Sequence, residues 1–331
     1  MSVATESRVM VMTEAIHDAL DVALGIDPTV FQLGEDIQDP KGGGFGIHKG
    51  LEAKYGSERV RRTPISEQAI MGAAVGAAIA GMRPVAEIML MNFIAVAADQ
   101  LYNHAAKLRY MSGGVTPVPL TVRTTTGAGM GFGAQHSDML EAQLVHTPGL
   151  KVVVPSTAAD AKGLLLSSIF DDDPCVVIEM NALYFGAKDE VPSGDYRVPL
   201  GSARLAREGT DLTLITYGRQ VLDCLAIADQ LVGEGISIEV LDLRSLQPLD
   251  TNAIFASVAK TKRAVVVHEA VTRGGFGAEL SALIHSELFT ELAGPVARVG
   301  GANTPIPYSA PLEQAFLPGG RIESAVRALL D

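Results

Sequence analysis

Helical and extended segments alternate along almost the whole chain, and this order leaves few folds open. Apolar residues recur at helical spacing from Thr13 to Leu24 and are followed by a short apolar run, Thr29 to Leu33, that ends at Gly34-Glu35-Asp36. The pattern then predicts a short helix over 51–55, a helix from Glu67 to Ala80 stopped at Gly81, a strand over 85–90 and a helix over 95–110. Thr63-Pro64 reads as the start of the second of these helices, a capping hydroxyl followed by a first-turn proline. Strands over 118–123, 150–154 and 175–179 and a helix over 157–169 continue the alternation. Strands joined through helices run parallel, and a parallel sheet needs cover on both faces. The expected fold class is therefore α/β, with parallel-sheet three-layer domains.

A chain of 331 residues has room for about two such domains. Between Phe185 and Leu200 the alternation gives way to Gly, Pro and charge, so the division is expected there: one domain over 1–190 and a smaller one over 191–331. In the second, strands are expected at 212–217, 236–242 and 264–268, with helices at 219–231, 250–260 and 277–289.

Charge and composition remove several function classes. Lys and Arg number 26 against 38 Asp and Glu, a net charge of −12 with no basic run, which argues against a nucleic-acid partner. The Gly/Ala-rich stretch Ala69 to Met82 is too short for a bilayer span, and Met1 to Thr13 lacks a leader pattern, so no membrane association is expected. Cys175 and Cys224 lie in apolar segments without ligand spacing, which predicts buried free thiols in a reducing, cytoplasmic compartment.

Ligands of α/β sheets gather at the carboxyl ends of the strands. Two glycine-rich loops are candidates, 41–50 and 127–133, but Phe132 stands where a dinucleotide GxGxxG counted from Gly127 requires glycine. No GxxxxGK[ST], GxSxG or HExxH is present. Three residues are unusual for their surroundings. Glu67 opens an apolar helix, either as a first-turn acid favoured by the helix dipole or as a carboxyl of raised pKa that exchanges a proton. His136 closes the second glycine-rich loop in Gln135-His136-Ser137-Asp138, and Phe93 follows a strand end, as core packing or as a stacking surface.

Six motifs, in order, extend over nearly the whole chain: Thr63-Pro64-Ile65-Ser66-Glu67, Gly81 to Glu87, Lys107 to Gly114, Gln135-His136-Ser137, His146 to Val153, and Gly274 to Glu279. Together they resemble the β subunit of the thiamine-diphosphate-dependent decarboxylating component of 2-oxo acid dehydrogenase complexes. The resemblance implies a transketolase-like pyrimidine-binding domain followed by a transketolase C-terminal domain.

On this resemblance Glu67 matches the carboxyl that bonds a pyrimidine nitrogen of the cofactor, Phe93 the aromatic that stacks on the pyrimidine, and Glu35 an acid near the cofactor. His136 matches the histidine that assists acyl transfer. The family's Gly-Asp-Gly for diphosphate and metal is missing, since Gly194-Asp195 runs into Tyr196, so magnesium and diphosphate contacts are expected from an α subunit in an α2β2 heterotetramer. Relatives are also expected to bind a structural potassium ion, here through Asp171, Asp173 and the carbonyls of Leu120, Ser168 and Ile169. Where relatives continue His-Ser with Gln, this chain has Asp138, a carboxyl beside the catalytic histidine. The implied activity is decarboxylation of a 2-oxo acid (pyruvate, branched-chain or acetoin-type) and acyl transfer to a lipoyl group on an acyltransferase core. Acyloin formation with an aldehyde or oxo acid as acceptor is the enzymatic alternative, and a non-catalytic assembly subunit the alternative of another class.

Overall fold

The computed structural model describes residues 6–331; the first five positions of the stretch read above for a leader lie outside the described residues. The described residues form two compact units, one of residues 6–126 and 144–200, the other of 127–143 and 201–331. The division thus falls after Leu200 rather than at 190/191. Local pairing explains the difference: Asp189–Pro192 forms an antiparallel ribbon with Ser7–Met10, and Tyr196 and Val198 press against Gly163 in the helix Ala158–Ile169.

In the first unit every pairing among the central strands is parallel. Lys151–Val153, Cys175–Met180, Thr121–Thr126, Arg83–Leu90, Val30–Glu35 and Val60–Thr63 lie side by side in that order. The chain starts at Val30–Glu35, moves outward to Val60–Thr63 and returns to the opposite side at Arg83–Leu90. That reversal is a topological switch point, with Gly34 in register with Glu87. Helices pack on the sheet, Met12–Ile26 lying against Ala158–Ile169 and Glu67–Ile79 against Arg83–Leu90. The helix Glu67–Ile79 buries Ile70, Met71, Ala74, Val75 and Ala78, a stripe at i, i+4 and i+8, and leaves Ala73 and Gly76 exposed.

Two expectations are corrected here. Thr63 does not cap a helix: Val60–Thr63 is a strand whose backbone pairs with Gln32–Glu35, and the helix begins after Ser66. The strand expected at 118–123 is Thr121–Thr126, because Pro117 and Pro119 lack the N–H groups that a central strand must donate.

The second unit has a mixed sheet. Leu212–Thr216 lies between Ile238–Asp242 and Ala264–Val271, and Ala264–Val271 also pairs with Ala297–Gly301, all parallel; Arg204–Arg207 closes the far edge antiparallel to Ile238–Asp242. Its core unites Leu212, Leu214, Val240, Val265 and Val267 of the sheet with Cys224, Ala228, Leu231, Ile322 and Val326 of the helices Gln220–Val232 and Gly320–Leu330. Cys175 and Cys224 are free and buried, and burial pushes both thiols well above their ordinary pKa. Among the described residues no helix is long and apolar enough to cross a membrane.

Candidate active site

The first unit brings three of the expected residues to one edge. Glu35 ends Val30–Glu35, Glu67 opens the helix that follows Val60–Thr63, and Phe93 closes the 3₁₀ turn Met91–Phe93 after Arg83–Leu90. These three strands are neighbours, so Glu35, Glu67 and Phe93 flank the switch point at its carboxyl side. All three side chains are half-buried. Burial pushes the Glu35 carboxyl up, and the Asp36, Glu67 and Glu87 carboxylates add to the rise against Lys41. Gly34 allows the two strands to pack closely at this point, since a Cβ there would sit 3.0 Å from the Cβ of Glu87 and 3.2 Å from Ile37.

Beneath this edge lies a buried ionic cluster that sequence reasoning missed. Arg123, 1% exposed, donates from Nε and Nη2 to Glu179 at 2.7 and 2.8 Å, and from Nη1 to Glu87 at 2.7 Å. His48 joins it, with Nε2 2.7 Å from Glu87 and Nδ1 2.5 Å from Gln32 Oε1, while Tyr184 donates to Glu179 at 2.6 Å. Burial alone would raise Glu87, but His48 and Arg123 more than offset it and hold that carboxyl down at about 2. The loop Gly42 to Phe45 covers the cluster. Charged residues inside strand-like runs, Glu87 and Glu179 among apolar residues and Arg123 among valine and threonine, were the available signal.

His136 lies on Gly127–Gln143, which groups with the second unit. Its N–H donates to the Gly133 carbonyl at 3.2 Å. Two further carboxyls in this unit, Glu141 and Glu269, went unnoticed in the sequence; burial raises each to about 7.

The acidic turn after Ala158–Ile169 is tied to cations of the chain itself. Lys151 Nζ is 2.7 Å from both Asp171 oxygens and 3.2 Å from Asp173, and Arg109 reaches Asp173 at 2.6 Å. Among the expected carbonyl ligands, Ile169 accepts from Arg83 at 3.3 Å and Leu120 from the Cys175 N–H at 2.9 Å, while Ser168 receives the Asp171 N–H at 3.3 Å.

Comparison with known proteins agrees with this architecture. Residues 8–185 match the transketolase pyrimidine-binding domain and residues 201–321 the transketolase C-terminal domain. The β subunit of acetoin:2,6-dichlorophenolindophenol oxidoreductase from Bacillus subtilis is 45% identical over 94% of both chains, and that from Cupriavidus necator 44% over 95% of both. The pyruvate dehydrogenase E1 component subunit beta of Staphylococcus epidermidis is 42% identical over 97% of this chain and 98% of its own. A solved structure described as a split-gene transketolase in an inactive β4 tetramer superposes with a TM-score of 0.76 at 24% identity, covering 97% of this chain and 98% of its own, which is a likeness of fold. The chain belongs to the transketolase-like family that holds the β subunits of pyruvate dehydrogenase E1 and of the acetoin oxidoreductases, the family its six motifs resemble.

Proposed function

We propose that this chain is the β subunit of a thiamine-diphosphate-dependent 2-oxo acid dehydrogenase and is active only with an α partner. The observation that carries the reading is the grouping of Glu35, Glu67 and Phe93 around the switch point, in a chain 42% to 45% identical to the pyruvate and acetoin β subunits. The residues fit the cofactor's pyrimidine: two carboxyls able to bond ring nitrogen and an aromatic face. When bound, thiamine diphosphate supplies a nucleophilic carbon and an electron sink for loss of CO2.

Each residue then has one task. Glu67 holds and returns a proton at the pyrimidine nitrogen, Glu35 orients polar groups beside it, and Phe93 provides the stacking face. His136 assists acyl transfer, with the Asp138 carboxyl two residues on. Magnesium and the diphosphate belong to the α subunit in an α2β2 assembly, the acyl acceptor is a lipoyl group on an acyltransferase core, and the compartment is the cytoplasm, in keeping with two free thiols. The substrate class is pyruvate, a branched-chain 2-oxo acid or acetoin. A potassium ion at the acidic turn is part of the same reading and would share carboxylate oxygens with Lys151 and Arg109.

Calorimetry tests the division of labour. The isolated chain is expected to show no tight magnesium-dependent binding of thiamine diphosphate, and the chain assembled with its α subunit to bind it; tight binding by the isolated chain would overturn the shared site.

A further inference from the structure

The segment that bears His136 is fastened within the second unit by three buried carboxylates. At its start the Ala128 peptide is held on both sides, Glu269 Oε1 accepting its N–H at 2.6 Å and Arg219 donating to its carbonyl at 3.3 Å. In its middle, the Gly131 N–H faces both carboxylate oxygens of Glu313 at 3.2 Å. At its end, Tyr217 donates to Glu141 Oε1 at 2.7 Å. Glu141, Glu269 and Glu313 are 0%, 3% and 3% exposed.

Just beyond the second grip the aromatic ring of Tyr308 stands where a side chain at position 133 would go. A Cβ built on Gly133 lies 2.2 Å from that ring, and the residue has φ +73°, so only glycine fits. The Gly133 carbonyl in turn receives the His136 N–H. Burying carboxylates to hold loop amides costs desolvation that an apolar filler would avoid, so their presence calls for a reason other than packing.

We propose that Glu269 and Glu313 are positioning residues that fix the conformation of the His136 loop, with Tyr308 and Gly133 forming a seat between these two grips and His136. The importance of this loop rests on the proposed function, but the arrangement is tested without turnover. Glu269→Ala removes the acceptor from the Ala128 N–H, and Glu269→Gln keeps an acceptor oxygen; Glu313→Ala and Glu313→Gln do the same for Gly131.

Hydrogen exchange on the full chain at about pH 8, above the raised pKa of Glu269, is expected to speed up about ten- to hundred-fold over residues 127–136 in each Ala variant, as expected for loss of a hydrogen bond to a charged group. The strand Leu212–Thr216 should keep its wild-type protection, and each Gln variant should recover most of the loss. In the enzyme assembled with its α subunit, kcat should fall while the KM for the 2-oxo acid stays near wild type. Wild-type exchange over 127–136 in both Ala variants would overturn the proposal, and so would an equal acceleration over 212–216, which marks general destabilisation. Should Glu269→Ala fail to fold, Glu313→Ala and Gly133→Ala carry the same test, the latter expected to free the loop by displacing Tyr308. Loop exchange as expected in an assembly that turns over no 2-oxo acid would refute the proposed function and leave the positioning assignment standing.

Discussion

Arg123→Met is the substitution that asks most of the ionic cluster under the site. Methionine fills much of the volume but removes the three donors that bind Glu179 and Glu87. Glu179, 1% exposed, would keep only the Tyr184 hydroxyl, and Glu87 would keep His48. Removing one side of a buried ion pair costs about 3–5 kcal/mol. At about 2–4 °C per kcal/mol for units of this size, the first unit should melt roughly 6–20 °C lower.

The sign of the pH effect follows from Glu87. Its folded pKa is depressed from 4.5 to about 2, so the group contributes stability above pH 4.5 that is lost as pH falls through about 2. At 1.36 kcal/mol per unit this is about 3 kcal/mol, of which Arg123→Met should abolish the part that Arg123 supplies beside His48. Scanning calorimetry at pH 7 and at steps between pH 5 and 3 reads both effects. A variant that melts within about 2 °C of wild type at pH 7, with an unchanged acid limb, would refute the reasoning.

Three further outcomes are expected. His136→Ala should retain cofactor binding in the assembled enzyme and impair lipoyl acylation more than dye-coupled decarboxylation; equal loss in both assays would place the histidine earlier in the reaction. Glu141 and Glu269, each raised by burial from 4.5 to about 7, bind extra protons in the folded state, so the second unit should lose stability as pH rises from about 5 to 8; Glu141→Gln should flatten that slope, and an identical slope would discount the buried acid. Potassium should raise the melting temperature relative to an equal concentration of tetramethylammonium, with less effect in Asp171→Ala; identical melting in the two salts would leave the turn to Lys151 and Arg109.

The fold was legible where local pattern and tertiary role coincide. Runs such as Leu212 to Thr216 and Cys175 to Met180 are buried on both faces and apolar almost throughout, while the helix Ala158–Ile169 announces its start with Thr157, whose side chain accepts the Asp160 N–H at 3.1 Å. The ribbon Ser7–Met10 with Asp189–Pro192 was not legible, because its strands are short, polar and paired across most of the first unit. Nor was the π-helical stretch Asp99–Ala105 within the expected helix over 95–110, which no residue type marks. At the candidate site, Glu67 was visible as an acid opening an otherwise apolar helix and Phe93 as an aromatic following a strand end. Glu87, Arg123 and Glu179 were overlooked because each sits in a run that reads as core strand, and Glu269 because it directly follows one; the partner that makes the burial tolerable comes from a distant segment.

The central claim is that this chain completes a thiamine-diphosphate site in which Glu67 handles the proton. The most direct measurement is turnover of pyruvate, branched-chain 2-oxo acids and acetoin by the chain assembled with its α subunit, magnesium and thiamine diphosphate, in wild type and Glu67→Gln. The account predicts cofactor-dependent turnover of at least one of these substrates by the wild type, and about a 10²- to 10⁴-fold lower rate in an equally well assembled Glu67→Gln enzyme. Near wild-type turnover by Glu67→Gln, or a wild-type assembly that binds the cofactor and turns over none of these substrates, would contradict it.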